Sequence, residues 1–426
     1  MKMHKYKIAI IGLGTVGLSV VQILNKHKNL IAQRSGVEIE IGKVVVRNKK
    51  KYECHNLPLS ESLQEVLEDE SISLVVELIG GVDYPFEIAK KVFAHKKAFV
   101  TANKAMIASK MQELCKLSKG LPFGFEASVC GGIPIIEAFR DSLVGNEILD
   151  FSGIMNGTSN FILTQMEEKN QSFSMALSQA QELGYAEADP TLDIQGGDAG
   201  HKLLILAKLA YGIEAKEEDV LIEGIEEIEL DDIAMAKRLG YKIKLLGIAR
   251  KEDEFVELRV HPALVPYDCM LSSVGGAKNA LSVRGDEVGE MFYCGLGAGG
   301  DATASAVISD IVNIARLREC ASYPFPAFGS FDFYKHFKLK DRGEIACQFY
   351  IKIEVLHQSG VMAKLTSTLA ENGVSISQLL QEDKTQSAII VILTHRCEER
   401  KLNEAFCKLL SFDFVLGNPR KIRVYE

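Results

Sequence analysis

The sequence predicts an α/β protein in three parts: a doubly wound parallel sheet, an α+β middle domain and a small C-terminal βαββαβ unit. Three observations lead there. Strand and helix signals alternate through the first third of the 426 residues, and a glycine-rich turn joins the first strand to the first helix. The rhythm changes at Gly131-Gly132-Ile133-Pro134, where longer helical patterns and polar loops begin. Residues 347–426 then read strand, helix, strand, strand, helix, strand.

Lys7–Leu13 is a short apolar run of buried-strand type, and Val16–Ala32 has helical spacing. Glu38–Val46 alternates like a strand, Glu61–Asp69 reads as helix, and Leu74–Ile79 is a second buried-type strand. Pro85–Ala94 is helical and Ala98–Thr101 is a fourth strand. Strands separated by helices are joined by right-handed crossovers, so the sheet is expected to be parallel and of Rossmann type over residues 1–130.

Residues 131–299 are expected to form a separate α+β domain, with a polar loop over Gly184–Gly197 and a strand over Phe255–Val265. Asp301–Arg318 is helical and is expected to pack back on the first domain, which residues 300–322 would complete. Pro324–Phe328 marks a linker, assigned to 323–346. In the tail, Gln348–Leu356, Val374–Leu380, Ser387–Thr394 and part of Phe412–Tyr425 read as strands, and Val361–Asn372 and Glu398–Leu410 as helices. Val361, Leu365 and Leu369 give the first of these helices one buried face.

Composition narrows the function classes. Apolar residues make up 47% and charged residues 25%, an ordinary globular balance, and the formal charge of −8 leaves no basic excess for a nucleic-acid partner. Nine cysteines are scattered without a C-x-x-C pair, so neither a disulfide framework nor a zinc site is expected. The strand signal begins at Lys7, which leaves no signal peptide, and no apolar run reaches the roughly 18 residues of a membrane helix. A cytoplasmic protein is expected.

Gly12-Leu13-Gly14-Thr15-Val16-Gly17 follows the first strand and opens the first helix. In a G-x-G-x-x-G turn the first glycine permits the bend, the second admits a pyrophosphate and the third lets helix and strand pack closely. The helix N-terminus adds N–H donors and positive dipole. These residues are the candidate dinucleotide site. At the end of the second strand, where an NAD enzyme usually carries Asp or Glu, Val44-Val45-Val46 leads into Arg47. A guanidinium pairs with a 2′-phosphate, so NADP is expected, with NAD left open.

The later blocks carry more. Thr101-Ala102-Asn103-Lys104 ends the fourth strand at the sheet edge where such folds bind ligands. Phe125–Ile136, Gly153-Ile154-Met155-Asn156-Gly157-Thr158-Ser159-Asn160, Leu183–Asp193, Gly197–Lys202 and Cys294–Gly300 follow in order. Across residues 7–310 this ordered set resembles homoserine dehydrogenases. Two places depart from that pattern: Leu18-Ser19 after the glycine loop, and Ala302-Thr303-Ala304 where the family usually has P-T-A.

The resemblance implies reversible hydride transfer between NAD(P)H and aspartate 4-semialdehyde, giving homoserine. Lys202 would be the general acid, Lys104 a second proton-relay group, and Asp198 the carboxylate one turn before Lys202. By spacing alone, Asp198 and Lys202 would be an ordinary surface salt bridge. Glu187 and Asp193 would bind the substrate ammonium, with Gly157, Thr158 and Tyr185 lining the site. Thr101, Lys104 and Gly297 join the cofactor contacts. A structural alkali cation, Na⁺ or K⁺, would be held by the Glu126 carboxylate and the carbonyls of Val129, Gly131 and Ile133; a hinge salt bridge is the other reading of Glu126. Cys130 has no activating base beside it in sequence and is not expected to be a nucleophile.

Val355–Leu365 and Asn372–Ser377 resemble the strand–turn–helix and second strand of an ACT domain, although His357 and Ser359 replace its usual aspartate and proline. Such a domain implies an amino-acid effector, threonine first, or else a dimerisation module without a ligand. The family implies that residues 131–299 bind substrate and build a homodimer or higher homo-oligomer. The alternative to an enzyme is a catalytically inactive amino-acid sensor on the same scaffold.

Overall fold

Apolar, β-branched runs set the strands and amphipathic runs the helices. In the computed structural model, which describes residues 4–317, 327–329 and 337–426, the chain opens with β1 (His4–Ile11), α1 (Thr15–Lys26), α2 (Lys28–Ser35), β2 (Val37–Val45) and β3 (Leu59–Ser60). Then come α3 (Gln64–Leu67), β4 (Leu74–Glu77), α4 (Asp83–Ala94), β5 (Ala98–Thr101), α5 (Lys104–Ser109), α6 (Met111–Leu117) and β6 (Phe123–Gly124). The middle carries α7 (Ile135–Glu137), β7 (Ile148–Ile154), α8 (Gly157–Lys169), α9 (Phe173–Glu182), α10 (Thr191–Ile194) and α11 (Gly197–Tyr211). It continues with β8 (Leu221–Ile222), α12 (Leu230–Arg238), β9 (Tyr241–Glu252), β10 (Phe255–Pro266), β11 (Lys278–Gly285), β12 (Gly289–Leu296) and α13 (Gly300–Arg316). The tail holds β13 (Lys338–Leu339), β14 (Ala346–Cys347), β15 (Phe349–Leu356), α14 (Val361–Glu371), β16 (Ile376–Asp383), β17 (Ser387–Thr394), β18 (Cys397–Glu398), α15 (Glu399–Leu409) and β19 (Val415–Val424).

Contacts divide these elements into two units: Met1–Leu149 with His201–Glu217 and Val283–Phe337, and Asp150–Gly200 with Glu218–Ser282 and Lys338–Glu426. The first unit contains a six-stranded sheet in the order β3-β2-β1-β4-β5-β6, parallel throughout. The strand order reverses between β1 and β4, which opens a crevice at the carboxyl ends of the strands. Ile8, Ile10, Leu74, Val76 and Val100 from the sheet share a core with Ala304, Val307 and Ile311 of α13.

Two expected helices differ from the sequence expectation, and the expected loop over Gly184–Gly197 contains α10. The single helix expected over Val16–Ala32 bends at His27, whose φ of −107° and ψ of 18° separate α1 from α2. The chain of helical hydrogen bonds persists through the bend, with the His27 N–H donating to Ile23 and its carbonyl accepting from Ile31. Lys26-His27-Lys28-Asn29 offers no apolar group to the core, and α2 buries only Ala32, so nothing holds the two segments in line. The helix expected over Glu61–Asp69 shrinks to α3. Ser62 N–H donates to the Ser60 hydroxyl and Ser71 N–H to Asp69, local bonds that compete with helix at both ends.

The second unit is built on a mixed sheet in the order β11-β7-β9-β10-β19-β15-β17-β16. Neighbours are antiparallel from β7 to β10, parallel between β10 and β19, and antiparallel again from β19 to β16. The last four strands have α14 and α15 as their helices, and Phe349, Ile351, Ile353, Leu365, Leu369, Ile390, Leu402 and Leu409 form one core. Val361, Leu365 and Leu369 are all buried in it. Of the expected linker 323–346, residues 323–326 and 330–336 lie outside the described residues, as do 318–322 of the expected completion 300–322. The described remainder includes β13, where the N–H groups of Lys338 and Lys340 donate to Glu254 and Val256 beside β10. No described helix is long and apolar enough to cross a membrane.

Candidate active site

The glycine loop expected to take the dinucleotide lies in the first unit. Gly12 sits at φ +96°, a conformation that penalises any side chain, and an added Cβ would lie 2.8 Å from the Leu78 carbonyl oxygen. Its N–H donates to Val45 on β2. A Cβ on Gly17 would fall on the Gly12 carbonyl, whereas one on Gly14, the N-cap residue just before α1, would meet nothing within 4 Å. The three glycines therefore do different things: bend, open approach and tight helix–strand contact. Gly300 at the start of α13 meets α1 closely, where a Cβ would lie 2.6 Å from the Ser19 hydroxyl. Ser19, one of the departures from the family pattern, thus packs against α13. Arg47 is exposed just past the end of β2.

At the same edge, Glu77 ends β4 fully buried. Its carboxylate accepts from the Thr101 hydroxyl at 2.6 Å and from the Ile79 N–H at 2.6 Å. Burial pushes its pKa up to about 7, against these two hydrogen bonds, which lower it. The Thr101 hydroxyl also accepts from the Asn103 N–H. Asn103 caps α5 by accepting from Met106, and its amide donates to the Gly81 carbonyl at 2.7 Å. Thr101 is thereby fixed by its neighbours, and Lys104 begins α5 one residue past the cap. Gly297 lies against Gly131, where a Cβ would come within 2.6 Å of the Gly297 carbonyl carbon.

Also in the first unit, the buried Glu126 carboxylate accepts from the backbone N–H groups of Ile136 at 2.9 Å and Glu137 at 2.7 Å. Its own N–H donates to Asp310 of α13. Burial raises both carboxyls, Glu126 to about 7 and Asp310 to about 8, and their mutual repulsion adds to the Asp310 shift. The Ile133 carbonyl accepts from Ile135, and both Cys130 and Gly131 adopt positive φ. Cys130 is buried.

The second unit brings together a polar cluster around Asn156. Asn156 ends the turn after β7 and caps α8, its side-chain oxygen accepting from the Ser159 N–H at 2.8 Å. Its amide donates to Asp193 at 2.7 Å and to Asp198 at 2.8 Å. One side chain thus ties the loop of Glu187 and Asp193 to the first turn of α11. Lys202 follows Asp198 by four residues on the same helix, in the stretch that belongs to the first unit. Both are buried, so the surface salt bridge suggested by spacing alone does not describe them.

The other expected substrate residues are placed around α8. Gly157 is its first residue, where a Cβ would lie 2.7 Å from the Ala277 carbonyl oxygen. The Thr158 hydroxyl donates to the Tyr185 carbonyl at 2.7 Å, and the exposed Tyr185 ring packs on Phe161. Glu187 is exposed on the loop that follows.

Sequence reasoning passed over four residues here. Asn156 and Asn103 carry the one legible signal, an Asn immediately before a helical run, which is a cap pattern. Glu77 gives no sign of its contact with Thr101. Lys244 is buried on β9, donating to Asn160 at 3.2 Å and to the Val274 carbonyl at 2.8 Å, and burial holds its pKa down at about 8. Asn160 in turn donates to the Gly276 carbonyl at 2.9 Å, so this last residue of the Asn156–Asn160 block secures a loop.

Comparison with known proteins identifies the family. Residues 12–121 match the family profile described as homoserine dehydrogenase, NAD binding domain, and residues 134–312 match that described as homoserine dehydrogenase. A homoserine dehydrogenase of Helicobacter pylori is 49% identical over 99% of both chains. The crystal structure of one from Thiobacillus denitrificans superposes with a TM-score of 0.94 at 40% identity, covering 100% of this chain and 99% of that one. A hyperthermophilic archaeal homoserine dehydrogenase in complex with NADPH has a TM-score of 0.62 at 28% identity, covering 73% of this chain and 98% of its own. With a glycine-loop nucleotide edge, a buried Asp198 and Lys202 on one helix and this extent of identity, the chain belongs to the homoserine dehydrogenase family of NAD(P)-dependent oxidoreductases.

Proposed function

We propose that Lys202 is the proton donor in the reaction this oxidoreductase catalyses, the reversible reduction of L-aspartate 4-semialdehyde to L-homoserine. The observation that carries the proposal is the Asn156 amide joined to both Asp193 and Asp198, one helical turn before a buried lysine. A nicotinamide cofactor bound at the glycine loop supplies the hydride, and the open approach at Gly14 fits its pyrophosphate. As the aldehyde carbon accepts hydride, charge develops on its oxygen, and the Lys202 ammonium stabilises and then protonates it. Asp198 holds the Lys202 ammonium in place, and Lys104 returns the proton from solvent. Glu187 and Asp193 hold the substrate ammonium, and Gly157, Thr158 and Tyr185 shape the floor beneath it.

NADP is the preferred cofactor, with Arg47 on its 2′-phosphate; Thr101, Lys104 and Gly297 contact the nicotinamide half. Arg47→Ala is expected to raise the NADPH KM about 10- to 100-fold, as loss of a charge-assisted hydrogen bond would, and to leave the NADH KM within about twofold. Parallel titrations of both cofactors check it, and equal losses would remove Arg47 from this role.

An alkali cation, Na⁺ or K⁺, is assigned to Glu126 with the carbonyls of Val129, Gly131 and Ile133. The two hydrogen bonds to Glu126 leave further lone pairs on its carboxylate, and a cation would offset the cost of ionising it in a buried place. We assign residues 347–426 to an ACT domain with threonine as its effector, residues 131–299 to substrate binding and homodimer formation, and residues 1–130 with 300–322 to the cofactor. The spatial order β19-β15-β17-β16, fourth, first, third and second of a βαββαβ unit, supports the ACT reading.

The test is the initial rate of NADPH oxidation with aspartate semialdehyde, with and without millimolar threonine. Turnover is expected, and it should fall with threonine. Turnover indifferent to threonine would leave the enzyme and remove the effector.

A further inference from the structure

The residues that follow β19 leave the C-terminal module and reach the strand that delivers Asn156. Beside β10, Ala263 pairs with Arg423 and Leu264 with Val424, and the Tyr425 N–H continues this ladder by donating to the Leu264 carbonyl at 2.9 Å. Its phenol oxygen lies 2.6 Å from the Ser152 hydroxyl on β7, with β9 between the two strands in the sheet. Glu426 is tied on both sides: its carbonyl accepts from Arg250 of β9 at 3.0 Å, and its carboxylate from the Gln348 N–H at 3.0 Å. Ser152 is almost wholly buried and Tyr425 is half-buried, so on the Ser152 side the contact is shielded from competing water.

What lies beyond Ser152 gives the contact its meaning. β7 ends at Ile154, two residues before Asn156, and the Asn156 amide bridges Asp193 and Asp198. The intervening segment has no lateral slack. The Cα of Gly153 is pressed against the Ala280 carbonyl so closely that a Cβ has no room, and a Cβ on Gly247 would lie 2.8 Å from the Met155 sulfur. The Met155 carbonyl accepts from the buried Asn279 amide at 3.0 Å. Neighbouring strands thus hold this stretch edge-on, and Tyr425 adds a hydrogen bond to a side chain on one face of it. A shift at Ser152 therefore moves the Asn156 cap rather than being absorbed on the way, because close-packed interiors transmit displacement.

We propose that Tyr425 and Ser152 are positioning residues for the substrate site: the phenol, anchored beside β10, fixes the end of β7 and with it the Asn156 amide that aligns Asp193 and Asp198. This inference rests on the reading of those carboxylates as the substrate-side groups. It makes aldehyde binding, and not nucleotide binding, sensitive to how the module that ends in β19 is seated. Neither residue touches substrate; both act through Asn156.

The experiment uses Tyr425→Phe, Ser152→Ala and their double variant in the full chain, with Asn156→Ala beside them. Each removes a polar group without adding bulk. Tyr425→Phe and Ser152→Ala are each expected to raise the aspartate semialdehyde KM about three- to tenfold while the NADPH KM and the melting temperature stay close to those of the parent. The double variant should be no worse than the worse single one, since one interaction is lost in all three. An unchanged semialdehyde KM in Tyr425→Phe overturns the inference. So does a parallel rise of both KM values with a drop in melting temperature, the pattern of a general stabiliser. Asn156→Ala separates the two levels: it should raise the semialdehyde KM at least as much as Tyr425→Phe. If it leaves that KM and kcat unchanged, the substrate-site reading itself fails, whatever Tyr425 does.

Discussion

Lys202→Ala is expected to lower kcat about a thousandfold, within the range that a positioned general acid contributes. The reason is the timing of charge. The aldehyde is neutral in the ground state, and oxygen acquires negative charge only as hydride arrives, so a buried ammonium acts mostly on the transition state. Alanine leaves that charge to whatever water can enter, and Asp198 one turn away becomes a liability, a buried carboxylate without the cation proposed for it. Nucleotide affinity should hardly change, because the proposed phosphate contacts lie at the glycine loop and Arg47. The check is kcat alongside an NADPH fluorescence titration. A loss confined to kcat fits the assignment; near-normal turnover with Lys202 absent would move the proton donor elsewhere, with Lys104 the next residue to replace. Substitution by arginine keeps the charge but not a transferable proton and should restore only part of the rate.

Gly17→Ala is expected to abolish measurable NADPH binding at concentrations that saturate the parent. The added methyl would occupy the place of the Gly12 carbonyl. Gly12 cannot give way easily, because its positive φ and its hydrogen bond to Val45 fix it in the bend. Relief must come from moving α1 away from the sheet, and that carries the N–H donors at Gly14 and Thr15 out of position. Overpacking of this kind costs about 1–3 kcal/mol in stability, so the variant should still fold with a lowered melting temperature. Gly14→Ala is the informative companion. Its methyl enters open space and should leave the melting temperature unchanged, yet it stands where a pyrophosphate would approach. Full NADPH affinity in both variants would mean that the loop is not the phosphate site.

Much of the nucleotide half could be read along the chain. The strand before Gly12, the three glycines and the alternation to Thr101 depend on residues close in sequence, and local sterics decide them. The helices were less secure where polar runs weakened the link to a core, as at His27, or where serine and aspartate offered local bonds, as around α3. The substrate blocks were recognisable as a set through their resemblance to one family, yet nothing in them announced which side chains meet. Asn156 is the clearest instance. Its place before a helix marks a cap, but its amide bonds to residues 37 and 42 positions away follow from how α8, α10 and α11 pack.

By itself, then, the sequence determined most element types and the parallel nucleotide-binding sheet, which rest on periodicity and glycine sterics carried by neighbours in the chain. It also determined the family, through ordered motifs, and it is their resemblance to that family that singles out Lys202 and Asp198. The tertiary structure alone decided that Asp198 and Lys202 are buried, that Glu77 holds Thr101, that Lys244 backs Asn160, and that Tyr425 meets Ser152 across 273 residues. Such contacts are made by side-chain direction and strand register after the core has closed, and a polar group buried by that closure must find its partner wherever the packing happens to bring one.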